Sequence, residues 1–339
     1  MTDALAAEPA ALDADELDIL RLALRRAAGT VTGEALDRAL ADIGWLDAVA
    51  LAPRVAVAAV FDAQGAAGST SAALDGLLLA SLGIDASSDV GVVMPAFGSG
   101  EPPLRVAPAG VGSTVHGLGS ARLRDARAAV LVARADNTSD DTSDDRTRCT
   151  TVPMDALERR EVTGLDPRLG LVEVRGTVGT DDWQVHDGSW DTAVARCRLA
   201  LGHELVGTMR TMLALARDHA VERVQFDRPI AGFQAVRHRL AESLVAIEAA
   251  EAALDGAWEL GSPTAAMIAK AACGHSAATV RRHCQQVLAG IGFTTEHDLH
   301  RFVRRSIVLD GLFGDARTLT AAIGAGALDQ GHLPPLVPL

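Results

Sequence analysis

Arg223, Gln225 and Phe226 lie almost side by side in the run ERVQFDRPIAGFQ (222–234), which Gln234 closes. A guanidinium is a planar fork that grips a phosphate or pyrophosphate through two charge-assisted hydrogen bonds. The same residues admit a plainer reading, in which Arg223 caps a helix C-terminus and Phe226 fills the turn. Farther along, QQVLAGIGF (285–293) offers Gln286 and Gly290. Glycine is required where backbone must approach a ligand closely, because a Cβ would collide; an ordinary turn between helices also uses it. Glu296, His297 and His300 resemble half of the carboxylate–histidine set that helical bundles use for paired metals. His203, Glu204 and His275 do not supply a second half, so no metal site is expected. Cys149, Cys197, Cys273 and Cys284 are widely spaced with no CxxC pair, which signals neither a zinc ribbon nor a disulfide framework.

These residues need elements to hold them. From about Asp13 to Leu82 the sequence is rich in alanine and leucine at helical spacing: Leu17, Leu20, Leu24 and Ala27 share a face, and Leu36, Leu40 and Ile43 repeat it before Gly44. From about Val90 to Thr180 glycine and proline become frequent. The short runs VGVVM (90–94), AAVLVARA (128–135), CTTVPM (149–154) and LVEVRG (171–176) predict a small sheet or barrel. The acidic DNTSDDTSDDRT (136–147) reads as an exposed loop between strands. Helix then returns. Trp190, Val194, Cys197, Leu201, Leu205, Thr208, Met212 and Leu215 follow at three- or four-residue steps, the stripe of a long bundle helix. A turn with Pro229 and Gly232 leads to a second helix bearing Val236, Leu240, Leu244, Ile247, Leu254 and Trp258. Gly261-Ser262-Pro263 opens a third to about Leu288, and the fourth is expected over about Leu299 to Ile323. The fold expected is mainly α with a small β domain: helices over 1–88, a β domain over 89–182 and a four-helix bundle over 183–339.

Composition narrows the function. At 339 residues with 48% hydrophobic residues the chain can bury more than one core. A formal charge of −13 disfavours nonspecific binding to nucleic acid or anionic lipid. No apolar run reaches the roughly 20 residues that span a bilayer, and the acidic N-terminus lacks the features of a secretory signal. A cytoplasmic location is expected. Lys270 is the one lysine; all other cations are arginine.

The two runs that hold the candidate residues, ERVQFDRPIAGFQAVRHRLAE (222–242) and QQVLAGIGFTTEHDLHRFVRR (285–305), closely resemble the C-terminal domain of acyl-CoA dehydrogenases. The family patterns there are RxQFGxPIxxFQ and QxxGGxGFTxExxLxRxxR. VHGLGSARLRDARAAVLVARAD (115–136) looks like the family's middle domain. The resemblance is strong over about 190–325, looser over about 90–180 and weak before that. It implies the acyl-CoA-dehydrogenase order of helices, β domain and bundle. It also implies FAD, with Arg223, Gln225, Phe226, Gln234, Gln286 and Gly290 reaching the cofactor of a neighbouring subunit. Ala289 replaces the first glycine of the usual pair.

The resemblance also marks what is missing. Flavin-dependent α,β-dehydrogenation needs a carboxylate to take the α-proton. The family carries it at a position that falls here on Cys197, or at one that falls on Phe313, just before Gly314. Neither residue can serve. Glu204, Asp310 and Asp315 are nearby but read as helix-surface carboxylates, and Arg301, Arg304 and Arg305 as a solvated or interface face. The flavin-contacting Thr-Glu-Pro…Gly-Ser loop is scrambled to MPAFGSGEPP (94–103), and the helical N-terminal region that walls the acyl pocket looks shortened. The implied protein is the degenerate subunit of an α2β2 heterotetramer of the kind found in actinobacterial steroid breakdown. It would complete the FAD site of a catalytic acyl-CoA dehydrogenase partner, which holds most of the acyl-CoA. Two other readings stand beside it: an active homo-oligomer using Glu204 or a nearby aspartate, and a cofactor-free scaffold.

Overall fold

The computed structural model describes residues 13–85, 89–106, 112–134, 146–179 and 183–331, except the side chains of Arg146 and Asp187. Five helices come first: α1 (Ala14–Thr30), α2 (Glu34–Ile43), α3 (Trp45–Leu51), α4 (Pro53–Ala67) and α5 (Ala73–Ser81). Asp13 and Glu16 open α1 by bonding each other's backbone N–H at 2.9 Å, a capping box. Gly44, at φ 71°, ends α2 in the left-handed conformation that a side chain resists. Leu24, Leu36, Leu40, Trp45, Val57, Phe61 and Leu77 form their core.

The β region contains β1 (Val90–Val92), β2 (Leu104–Arg105), β3 (Ser113–Gly119), β4 (Ala128–Arg134), β5 (Arg146–Pro153), β6 (Glu158–Glu161), β7 (Val172–Val178) and β8 (Gln184–Ser189). Two four-stranded sheets result, ordered β1-β4-β5-β8 and β2-β3-β7-β6. All pairs are antiparallel except β1 with β4. Inward-facing Val115, Leu131, Val152 and Val174 fill the space between them. Each of the four apolar runs falls on a strand. β6, whose sequence is ERRE and wholly exposed, carries no apolar signal. The acidic segment joins the antiparallel β4 and β5, although 135–145 lie outside the described residues.

The bundle is built from α6 (Trp190–Glu222), α7 (Gln234–Leu260), α8 (Pro263–Leu288), α9 (Leu299–Gly311) and α10 (Ala316–Gln330), with a small hairpin of β9 (Val224–Gln225) and β10 (Arg228–Pro229) after α6. The α6 stripe is buried from Trp190 to Met212, as its spacing predicts. Leu244 of α7 is an exception: it is 49% exposed, on the outer face. The single fourth helix expected over Leu299 to Ile323 is instead two. The chain breaks after Gly311, where Phe313 and Gly314 take φ of 56° and 99°. The buried ammonium of Lys270, on α8, donates to the carbonyls of Asp310 (2.8 Å) and Gly314 (3.3 Å). Asp315 caps the N-terminus of α10, accepting from the N–H groups of Arg317 and Thr318. Because the group that stabilises the break comes from another helix, local periodicity does not announce it.

α4 and α6 cross almost backbone to backbone. A Cβ on Gly65 would overlap the carbonyl of Glu204, and one on Gly207 would overlap the carbonyl of Asp62. Nearby, Thr211 donates to Ala66 O at 3.0 Å and Arg210 pairs with Asp62 at 3.5 Å. Among the described residues no helix is long and apolar enough to cross a membrane. Gly207→Ala is expected to force the two helices apart and destabilise the fold by about 3 kcal/mol, because backbone has no alternative rotamer to adopt. Gly29→Ala in α1, whose Cβ would meet nothing within 4 Å, is the control and should change stability little or raise it slightly. Chemical denaturation followed by circular dichroism compares them.

Candidate functional site

α6 ends at Glu222, and the N–H of Arg223 donates to His219 O at 2.9 Å as the chain turns away. β9 and β10 are then joined by only Phe226 and Asp227, at φ of 54° and 61°. This is the doubly left-handed turn that normally selects Asn-Gly. Asp227 stands where the family pattern has glycine. Phe226 does not fill the turn. It is 86% exposed, with its ring edge-on to Phe233 at 6.0 Å, while the Arg228 guanidinium lies 4.2 Å over the Phe233 ring. Arg223, Gln225 and Gln234 are also exposed.

The second run closes α8. Gln286 lies exposed in its last turn, Ala289 takes φ 51° and ψ −135°, and a Cβ on Gly290 would meet nothing within 4 Å. Gly292 is jammed against Leu288 and Gln285. The two runs meet at the same end of the bundle, where the rings of His219 and His297 stand edge to face at 6.2 Å. That end therefore presents Arg223, Gln225, Phe226, Gln234, Gln286 and Gly290 on an open surface. Val221, Val224, Ile291 and Phe293 are exposed on the same elements. Such a surface can bind an anion and offer an aromatic face, but it does not enclose a ligand.

Cys197 and Phe313, the positions at which the resemblance places a base, lie in the interior. Cys197 is fully buried, and burial pushes its thiol far above the usual range, with the charge of Asp75 adding to the effect. Phe313 is buried at the α9–α10 break, and its carbonyl accepts from Arg198 Nε at 3.0 Å. The 94–103 loop seals this break from outside. Gly98 N–H donates to Gly311 O at 2.8 Å, Trp190 Nε1 donates to Gly100 O at 3.0 Å, and the Phe97 ring occupies the space that a Cβ on Gly311 would need.

Two sequence expectations are corrected here. Glu204 is not a surface carboxylate and Arg305 is not on a solvated face; they are 4% and 3% exposed and bind each other, with Arg305 Nε 3.1 Å from Glu204 Oε1. Arg305 also donates to Ser69 O and, at 3.3 Å, to Thr70 Oγ1. Burial raises the Glu204 carboxyl, and Arg305 opposes the rise. Asp310 accepts from Ala316 N–H at 3.2 Å beside Lys270, and Asp315 is a helix cap. All three candidate substitute carboxylates thus have structural partners.

Gln64, Ser71, Asp75, Ser120, Glu204 and Arg305 are among the residues around a cavity of about 40 Å³ where the helical, β and bundle regions meet. That volume admits a few waters at most. Asp75 was not singled out from sequence, although a lone carboxylate inside ALDGLLLAS is a visible anomaly. Ser120 donates to its Oδ2 at 2.6 Å, its Oδ1 has no hydrogen-bond partner, and burial pushes it up to about 7. No group of three or more His, Cys, Asp or Glu among the described residues could hold a metal ion.

Helices, paired small sheets and a bundle whose fourth member is broken define the acyl-CoA-dehydrogenase fold. Residues 190–328 match the family described as "Acyl-CoA dehydrogenase, C-terminal domain". The chain is similar to the acyl-CoA dehydrogenase IpdE2 of Mycobacterium tuberculosis, 34% identical over 145 residues, which is 43% of this chain and 44% of that protein. IpdE2 of Mycolicibacterium smegmatis is 31% identical over 42% of each chain. The chain thus spans less than half the length of these relatives. Among solved structures, a variant of the Tcur3481–Tcur3483 steroid ACAD superposes with a TM-score of 0.74 at 21% identity, covering 94% of this chain and 99% of the other. The ChsE4–ChsE5 complex from Mycobacterium tuberculosis gives 0.68 at 19%, covering 94% and 96%.

Glu204→Gln leaves Arg305 charged and buried without its counter-ion, so a loss of about 3–5 kcal/mol is expected in urea unfolding, whereas Glu204→Leu with Arg305→Leu should recover most of it. Asp75 gives a pH dependence. Its folded pKa is raised from 3.8 to about 7, so in between the folded state holds the extra proton and stability falls as pH rises. Asp75→Asn should flatten the unfolding midpoint across that window.

Proposed function

We propose that this chain is the non-catalytic subunit of a heteromeric FAD-dependent acyl-CoA dehydrogenase. On this reading it presents Arg223, Gln225, Phe226, Gln234, Gln286 and Gly290 to the nucleotide end of an FAD whose flavin ring, acyl-CoA and catalytic base belong to a partner subunit. The observation that carries the reading is the interior: no carboxylate at Cys197 or Phe313, and a cavity of only about 40 Å³ where the three regions meet, against the hundreds that a ligand pocket needs. Phe97 closed on Gly311 points the same way.

The residues present fit the nucleotide end of the cofactor and not a second ring. Gly290 is open on the surface, and Arg223 and Gln286 are exposed. FAD, when bound, supplies the hydride acceptor for α,β-dehydrogenation. The residues of this chain bind and screen: Arg223 pairs with phosphate oxygens, the Gln286 and Gln225 amides donate, and Phe226 covers apolar surface and excludes water. Two structural neighbours are named as pairs of proteins, one of them as a steroid ACAD, which supports a hetero-oligomer and a bulky CoA ester such as a steroid-derived one. An active homo-oligomer using Glu204 is disfavoured by the buried pairing with Arg305.

The test is a visible spectrum. The isolated chain should carry no flavin, and co-production with a full-length relative bearing the catalytic glutamate should give a flavin-containing, active complex. Arg223→Gln in that complex removes a charged hydrogen-bond pair and should weaken flavin retention by about 1.5–3 kcal/mol, roughly tenfold to a hundredfold. Flavin and turnover in the isolated chain would support the homo-oligomer instead, and no flavin in any combination would leave a scaffold.

A further inference from the structure

We propose that His219 and His297 complete, with Arg223, the seat that this surface offers to the diphosphate of the partner-held cofactor, and that filling the seat draws a proton onto His219. The inference rests on the reading above and names residues that it does not use.

The geometry begins with α6. His219 lies in the last turn of α6, and the N–H of Arg223 donates to its carbonyl at 2.9 Å as the chain leaves the helix. Its half-buried ring meets that of His297 edge to face at 6.2 Å. His297 is fixed in one tautomer: the Leu299 N–H donates to its Nδ1 at 3.1 Å, so the ring hydrogen of the neutral form sits on Nε2. His300 Nδ1 donates to the His297 carbonyl at 2.8 Å and steadies the same turn. His297 is therefore a hydrogen-bond donor that needs no protonation, held beside a second imidazole and a guanidinium. These three donors converge within a chain whose net charge is −13. Among the charged groups that act on His219, Glu222 is the one acid.

The groups facing His219 set the direction of its response. Burial lowers its pKa first, then the neighbouring His297 and Arg223; Glu222 alone raises it. Asp218, next in the chain, is committed to Arg217 at 2.9 Å. The C-terminal turn of α6 favours a cation at this place, so the deficit is one of negative charge nearby. A diphosphate beside Arg223 supplies that charge and moves the His219 pKa upward. Binding then takes up a proton wherever pH lies between the free and occupied pKa values. Affinity rises as pH falls through that window, by up to about tenfold per pH unit, and is flat above it.

Two measurements decide the matter. In the full-length isolated chain, imidazole proton resonances, assigned with His219→Gln and His297→Gln, are followed through a pH titration with and without inorganic pyrophosphate. Pyrophosphate should raise the His219 pKa, and Arg223→Gln should abolish the shift. In the complex with the catalytic subunit, flavin retention is measured across about pH 6 to 8. Wild type should lose flavin progressively as pH rises; His219→Gln should flatten that profile, and His297→Gln should weaken retention at every pH. A retention profile that is level in wild type, or that keeps its slope in His219→Gln, overturns the inference. If Arg223→Gln still releases flavin in that case, the proposed function survives without the histidines. If Arg223→Gln releases none, both fall together.

Discussion

Arg305 reaches from α9 into the middle of the molecule and meets Glu204 of α6, the Ser69 carbonyl and the Thr70 hydroxyl. One guanidinium thus joins the bundle to the N-terminal helices at the point where the β region also closes in. Two charges this deeply buried are tolerable only if each satisfies the other and the remaining donors find acceptors. That condition fixes the position of α9 against α6 and of the loop after α4 against both. The reciprocal glycines at the α4–α6 crossing depend on the same register, since Gly65 sits against Glu204 itself. What remains is about 40 Å³ of space around Asp75.

The interior and the surface of this protein are organised in opposite ways. Inside, polar groups at the three-region junction and the α9–α10 break mostly consume one another: Lys270 holds two carbonyls, Arg198 holds that of Phe313, and Ser120 holds Asp75. Burial also lowers the Lys270 ammonium to about 8, which it tolerates because Asp310 stands beside it. A site for chemistry needs the reverse, groups held in place but with a valence left over for substrate. At the far end of the bundle that surplus exists. Arg223 and Gln286 stand exposed, and Phe226 is held outward by a turn that a non-glycine residue resists.

Much of this was readable from residue spacing. The α6 stripe, the four apolar runs and the motif-bearing turns all fall where periodicity and glycine placement put them, because each is a local pattern. That Cys197 and Phe313 carry no carboxylate is a matter of residue type; that a base would belong there is what the resemblance implies. The Glu204–Arg305 pair was not legible. Its members are 101 residues apart, and charge on a helix reads as solvent-facing until a partner is known. The split of the last helix and the outward ring of Phe226 were hidden for the same reason. The first depends on an ammonium from α8 and the second on a tight hairpin whose Phe226-Asp227 turn has none of the usual sequence marks.

Ala289 ties the packing at the end of α8 to the exposed surface beside it. It occupies the place of the first glycine in the family's pair and still adopts φ 51° and ψ −135°, a conformation that a Cβ makes unfavourable by about 1–3 kcal/mol. A turn free to relax would abandon that shape once glycine was gone. It is held by its neighbours: the Ala289 N–H donates to Gln286 O, and Gly292 packs where a Cβ would meet Leu288 and Gln285. The consequence is that Gly290 stays clear of every neighbouring atom, facing outward. On the proposed reading, the strain at Ala289 is what keeps an approach to Gly290 open for a cofactor that this chain does not hold by itself.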